Sequence, residues 1–100
     1  MSAYVIAQIR IDDPEEYKKY LAGFFPIFER HGGELLAGST KETRIIEGTW
    51  TLPRTVIMKF PSVAHATNWH NDPDYVKLAE HRWRSAQTNI VLVEGVDEVP

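Results

Sequence analysis

The segment Ile90-Val91-Leu92-Val93 sets four apolar side chains in succession. In an extended strand, neighbouring side chains point to opposite faces of the sheet. A sheet containing this strand is therefore greasy on both sides, and only a layer on each side keeps both dry. Val56-Ile57-Met58 repeats the pattern. In the first run, Ala3, Val5, Ala7, Ile9 and Ile11 form one wholly apolar face, and Tyr4 and Ile6 add apolar groups to the other. A chain of 100 residues has material for one domain over residues 1–100 and too little for two, so helices enough to cover both faces are not at hand.

The remaining punctuation fixes the order of elements. Ala3 to Ile11 alternates as a strand. Asp13-Pro14-Glu15-Glu16 then reads as a helix start, with an acidic N-cap, proline at the first position and a glutamate three residues after the cap. Tyr17, Tyr20, Leu21, Phe24, Phe28 and His31 follow on one helical face, Pro26 is expected to bend the axis, and His31-Gly32-Gly33 ends it. Glu34 to Ala37 and Thr43 to Glu47 read as one bent strand, or a strand with an edge piece, interrupted near Gly38-Ser39. A loop over Gly48 to Pro53 carries Trp50, and Arg54 to Phe60 reads as a third strand. Ser62 caps a short helix with Val63, Ala66 and Trp69 inward. Asp72-Pro73 restarts a helix that runs to about Gln87, with Tyr75, Leu78, Ala79, Arg82, Trp83 and Ala86 as its inward stripe. Ile90 to Val93 closes the chain as a strand.

This β-α-β-β-α-β order is the α+β, ferredoxin-like split pattern: a four-stranded antiparallel sheet with its helices on one face. The open face then calls for a partner. Four side chains buried there at about 1.5–3 kcal/mol each give roughly 6–12 kcal/mol gross, comparable to a small domain's net stability, before association entropy is deducted. A two-fold homodimer with the sheets face to face is the expected solution.

Composition narrows the function classes. Lys plus Arg number 11 and Asp plus Glu 14, a net charge of −3, with no basic run, which argues against nucleic acid and against an anionic membrane surface as partners. There is no cysteine, hence no thiolate nucleophile and no thiolate-bound metal. No apolar stretch reaches a membrane span, and Met-Ser-Ala-Tyr-Val-Ile lacks the basic lead of a secretory signal, so a cytoplasmic location is expected.

Tyr4-Val5-Ile6-Ala7, Asp13-Pro14 with Tyr17 and Tyr20, His31-Gly32-Gly33, Glu47-Gly48-Thr49-Trp50, Phe60-Pro61-Ser62, Trp69, Pro73-Asp74-Tyr75, Arg82 and Val93-Glu94-Gly95 stand in the order and spacing of one small bacterial family. From Tyr4 to Val96 the chain resembles the domain-of-unknown-function family thirteen-thirty. The resemblance implies a dimeric α/β barrel, in which two ferredoxin-like units share a closed pair of sheets, and it implies no settled reaction. Thr40-Lys41-Glu42 is more polar than the matching family segment.

The candidate catalytic residues are His31 and Arg82. A guanidinium in an inward stripe needs a counter-group, because an isolated buried charge is costly. Arg82 either clamps the carboxylate of a small ligand or pairs structurally with Glu47 or Glu94. His31, at a helix C-terminus, either complements the helix dipole or exchanges protons near neutral pH. Tyr4, Tyr17, Trp50, Trp69 and Tyr75 are the candidate ligand contacts. Tyr17 and Tyr20 belong to an aromatic stripe with Phe24, Phe25 and Phe28, and buried tyrosine hydroxyls need polar partners. His65, His70 and His81 lack metal-ligand spacing, so neither a metal nor another cofactor is expected.

Three functions remain open. The first is a homodimer that binds or converts a small aromatic or carboxylated metabolite in the helix–sheet cleft. The second is oxygenation, cofactor-independent or haem-linked, since antibiotic-biosynthesis monooxygenases and haem-degrading enzymes are similar in fold. The haem-degrading type uses a first-strand asparagine with a tryptophan and a histidine on the second helix region; Trp69 and His81 stand at suggestive places, but Gln8 is the only amide on the first strand, which argues against haem degradation. The third is a structural or regulatory dimer without a ligand.

Overall fold

The computed structural model describes residues 1–38 and 43–96. Strand β1 (Ala3–Ile11) leads into helix α1 (Pro14–Arg30), followed by β2 (Glu34–Ala37), β3 (Arg54–Phe60), α2 (Val63–Asn71), α3 (Pro73–Ser85) and β4 (Ala86–Glu94). The four strands are antiparallel in the order β2-β3-β1-β4. This is the ferredoxin-like α+β architecture that the sequence predicts.

Capping chemistry sets the helix boundaries. Asp13 accepts the Glu16 backbone N–H, Ser62 Oγ accepts that of His65 at 3.1 Å, and Asp72 Oδ1 accepts that of Asp74 at 2.8 Å. Proline occupies the first position of α1 and of α3, where its missing N–H costs nothing. Gly32 ends α1 at φ 78°, a left-handed turn that glycine adopts without strain, and Gly33 N–H reaches back to the Phe28 carbonyl. Helix α1 continues through Pro26, which is exposed on its outer side.

Register sorts the side chains between the two faces of the sheet. Val5 lies opposite Met58 and Leu92, and Ala7 opposite Val56 and Ile90; these face the helices. Phe28, Phe60, Trp69 and Tyr75 complete that core, with the Trp69 and Tyr75 rings 4.4 Å apart between centroids. On the other face Ile6 lies opposite Ile57 and Val91, and Tyr4 opposite Val93. No element of the described chain covers them, and Val91 and Val93 remain 54% and 47% exposed.

Several expectations fail in detail. Thr43 to Glu47 is not a strand: among the described residues its only backbone tie to another segment is Thr43 N–H to the Pro53 carbonyl, and Ile46 is 99% exposed. The register of β2 on β3 shifts between Leu35 and Ala37, and the described pairing reaches only Ile57 of β3. Strand β4 begins at Ala86 rather than Ile90, because Asp12 and Asp13 N–H groups bond the Ser85 carbonyl and pull the chain alongside β1. Trp83 leaves the predicted inward stripe, at 56% exposure; Leu21, Phe25 and Val63 are exposed too. The polar departure at Thr40-Lys41-Glu42 lies outside the described residues.

Candidate functional site

Helix α1 packs on α3 rather than squarely over the sheet. Gly23 permits the approach, since a Cβ there would lie 2.8 Å from Leu78 Cδ1. On the sheet floor, small Ala7 sits between Val56 and Ile90. The leaning helix and the small side chain together leave a cavity of about 250 Å³ between α1 and the sheet. Its mouth lies between Leu21 and Phe25 of α1 and Leu35 and Gly38 at the end of β2.

The walls are apolar except at specific places. Tyr17, Tyr20, Trp69, Tyr75, Arg82, Arg54 and Thr88 contribute the polar groups. The Tyr20 and Tyr75 hydroxyls bond each other at 2.7 Å. Burial, reinforced by Tyr75, holds the Tyr20 hydroxyl in its neutral form far above the usual range. Burial also raises the pKa of Tyr17, against the opposing pull of Arg82. Arg82 is only 5% exposed, with its guanidinium carbon 5.6 Å from the centre of the Tyr20 ring. Among the described residues it has no carboxylate partner. Its Nε, Trp69 Nε1 and Thr88 Oγ1 are buried without a hydrogen-bond partner among the described residues. All three residues line this cavity. Buried polar atoms are nearly always satisfied, so three orphans around one space are a strong local signal.

The structure therefore brings Tyr17, Trp69, Tyr75 and Arg82 to one cavity, and it does not bring His31, Tyr4 or Trp50 there. His31 Nε2 lies 2.7 Å from Asp72 Oδ2, which also accepts from Arg30 Nη2 at 2.7 Å. Those bonds, His31's first, hold Asp72 well below the usual carboxylate range. Tyr4 is on the opposite face of the sheet, and the half-exposed Trp50 donates its indole N–H to Thr55 Oγ1 at 3.0 Å. The expected pairing of Arg82 with Glu47 or Glu94 does not occur, since both acids are exposed and neither is bonded to Arg82. Glu16 is instead the acid at the base of α3, bound by His81 and Arg84 and drawn down to about 2 chiefly by the His81 hydrogen bond.

Arg54 and Thr88 are cavity residues that sequence reasoning missed. Period-two counting back from Phe60 and Met58 puts Arg54 on the core face. Thr88 was hidden by the late start expected for the last strand.

Among the described residues the lining contains no Asp, Glu, His, Asn or Gln. Its polar inventory is guanidinium and indole donors with hydroxyls, a set made to receive acceptor oxygens rather than to abstract protons. Among the described residues no three His, Asp or Glu side chains converge as a metal requires. Gln8 faces away from the cavity, where Asn89 Nδ2 donates to it, and His81 is held by Glu16. Trp69 thus has neither a first-strand amide nor His81 beside it in the cavity.

Residues 2–96 match the family profile described as a domain of unknown function, DUF1330. No curated protein matches the chain in sequence. A protein of unknown function from Rhodopseudomonas palustris superposes with a TM-score of 0.79 at 19% identity, covering 97% of this chain and 84% of that one. SnoaB, a cofactor-independent oxygenase from Streptomyces nogalater, follows at TM-score 0.67 and 12% identity, covering 99% and 97%. A dabb family protein with a ferredoxin-like fold from Mesorhizobium loti gives 0.63 at 16% identity, covering 96% and 98%. At these identities the likeness is one of fold.

Proposed function

Because the chain belongs to the DUF1330 family, whose name carries no reaction, we propose its function from the cavity: it binds a small aromatic or carboxylated metabolite between α1 and the sheet. The observation that supports this is Arg82, a buried guanidinium without an acid among the described residues, on the wall of an aromatic cavity. A ligand carboxylate supplies the missing counter-charge, and Tyr17, Trp69 and Tyr75 supply flat apolar contact. His31 has no part in this reading, because Asp72 holds it elsewhere.

Thermal shift with benzoate and 3-phenylpropanoate against their neutral amides tests the reading. A ligand at about 100 times its dissociation constant stabilises by roughly 2.7 kcal/mol. The acids are expected to raise the melting temperature and the amides to leave it unchanged. Equal shifts for acids and amides sink the role of Arg82, and no shift at all favours a structural dimer without a ligand. Oxygen uptake accompanying the binding of a hydroxylated aromatic acid would move the reading to cofactor-independent oxygenation, the activity named for SnoaB.

The same reading includes a homodimer formed by the open sheet faces. Its support is the uncovered patch of Tyr4, Ile6, Ile57, Val91 and Val93, apolar at its centre and rimmed by Gln8, Thr55, Lys59 and Asn89. Sedimentation is expected to give a species of twice 11.5 kDa, and Val91→Lys to dissociate it. A wild-type monomer at micromolar concentration overturns this part alone.

A further inference from the structure

Resting on the cavity ligand proposed above, we infer that this ligand is a diacid with an apolar body, one acidic group held by Arg82 and the other by Arg54. Arg54 is the first residue of β3 and lies opposite Ile9, on the face that Val56 and Met58 share. Thr88 lies opposite Ile9 from the other side, so Arg54, Ile9 and Thr88 form one row across the cavity floor. Two strand spacings separate the outer members, about 10 Å between backbones. Arg82 comes from α3 in the opposite layer, and Tyr17 of α1 feels both guanidiniums, each favouring its ionised form against the effect of burial.

The charge balance of this space is unusual within the molecule. Arg10, Arg30 and Arg84 each have an acid within ion-pair distance. Among the described residues Arg44, Arg54 and Arg82 have none, and of these only Arg44 is exposed. Arg54 and Arg82 line the same cavity, whose lining holds no acid among the described residues. A monoacid neutralises one of the two cations and leaves the other facing a low-dielectric space. A molecule with an acidic group for each satisfies both. The Thr88 hydroxyl and the Arg82 Nε, both buried and unpartnered, are further hydrogen-bond donors for the same oxygens. The rest of the ligand meets apolar wall from Met58 and Phe24 out to Leu21 and Phe25 at the mouth. The substrate class is accordingly an aryl- or alkyl-substituted dicarboxylate.

Calorimetric titration with phenylsuccinate and with 3-phenylpropanoate compares a diacid with a monoacid of similar apolar body. Wild-type protein is expected to bind the diacid at least about tenfold tighter. Arg54→Gln is expected to erase that preference while retaining the monoacid's affinity. Arg10→Gln, which removes the same charge from the opposite face of the sheet, is expected to keep the preference. Equal affinities in the wild type, or a preference that survives Arg54→Gln, overturn the inference while the cavity reading stands. Absence of binding by either acid overturns both.

Discussion

The two ends of the α1–α3 pair and the cavity beneath it treat charge in opposite ways. At one end, Asp72 collects His31, Arg30 and the backbone N–H of Asp74. At the other, Glu16 collects His81 and Arg84. Each acid fastens one helix to the other, and every cation there has its acid. In the cavity, Arg82 Nε, Trp69 Nε1 and Thr88 Oγ1 have no partners. The same chain, with the same residue types, saturates its polar groups where they hold the fold and leaves them unsaturated around one space. A buried donor without an acceptor costs about 1–3 kcal/mol, so the difference marks the cavity as the place where an incoming acceptor has most to gain. Such a cost is characteristic of binding sites, which hold their donors ready for a ligand.

Arg82→Met breaks the contrast most sharply. An unpaired buried charge is costly, and even a whole buried ion pair replaced by apolar side chains often leaves stability unchanged or raises it by about 1–4 kcal/mol, whereas removing one member of a functioning pair is strongly destabilising. The variant is therefore expected to melt at or above the wild-type temperature while its affinity for 3-phenylpropanoate falls about 100-fold, or about 2.7 kcal/mol. Chemical denaturation and calorimetry on the same samples read both quantities. A fall in unliganded stability with unchanged affinity would return Arg82 to a purely structural part.

Much of this arrangement was legible in the sequence because it rests on local chemistry. Asp13-Pro14, Ser62 and Asp72-Pro73 announce their helices through caps that operate within four residues. The alternation in Ala3 to Ile11 fixes which side chains meet the helices, and it placed Tyr4 and Ile6 on the open face where they are found. Arg82 stands out in the sequence as a charge inside an apolar stripe, and it is buried. What failed depended on contacts between distant segments. The start of β4 is set by Asp12 and Asp13 bonding Ser85, more than seventy residues away. His31 lies on the predicted face but is captured by Asp72, forty-one residues on, which no periodicity reveals. Thr43 to Glu47 has strand composition but pairs with no strand among the described residues, and a strand is defined by its partner. Arg54 belonged to the cavity by parity alone; it went unread because it is the first residue of its strand.

The smallest expected effect concerns the saturated helix ends, and it has a definite sign. Glu16 is drawn from 4.5 down to about 2 by its hydrogen bonds from His81 and Arg84. Asp72 is shifted in the same direction by His31 and Arg30. A carboxylate whose pKa is lower in the folded chain contributes stability that is fully present above its unfolded value and is lost as pH falls through its folded value. For Glu16 the window thus runs from about 4.5 down to about 2, and the melting temperature is expected to decline through it. Glu16→Gln should flatten the upper part of that decline, because glutamine has no proton to gain, and should leave 3-phenylpropanoate affinity at neutral pH unchanged. Added salt should blunt the effect, since these ion pairs lie near solvent. An acid profile identical in Glu16→Gln and wild type would mean that the His81–Glu16–Arg84 cluster contributes nothing measurable, and the contrast between saturated ends and unsaturated cavity would then rest on the Asp72 cluster alone.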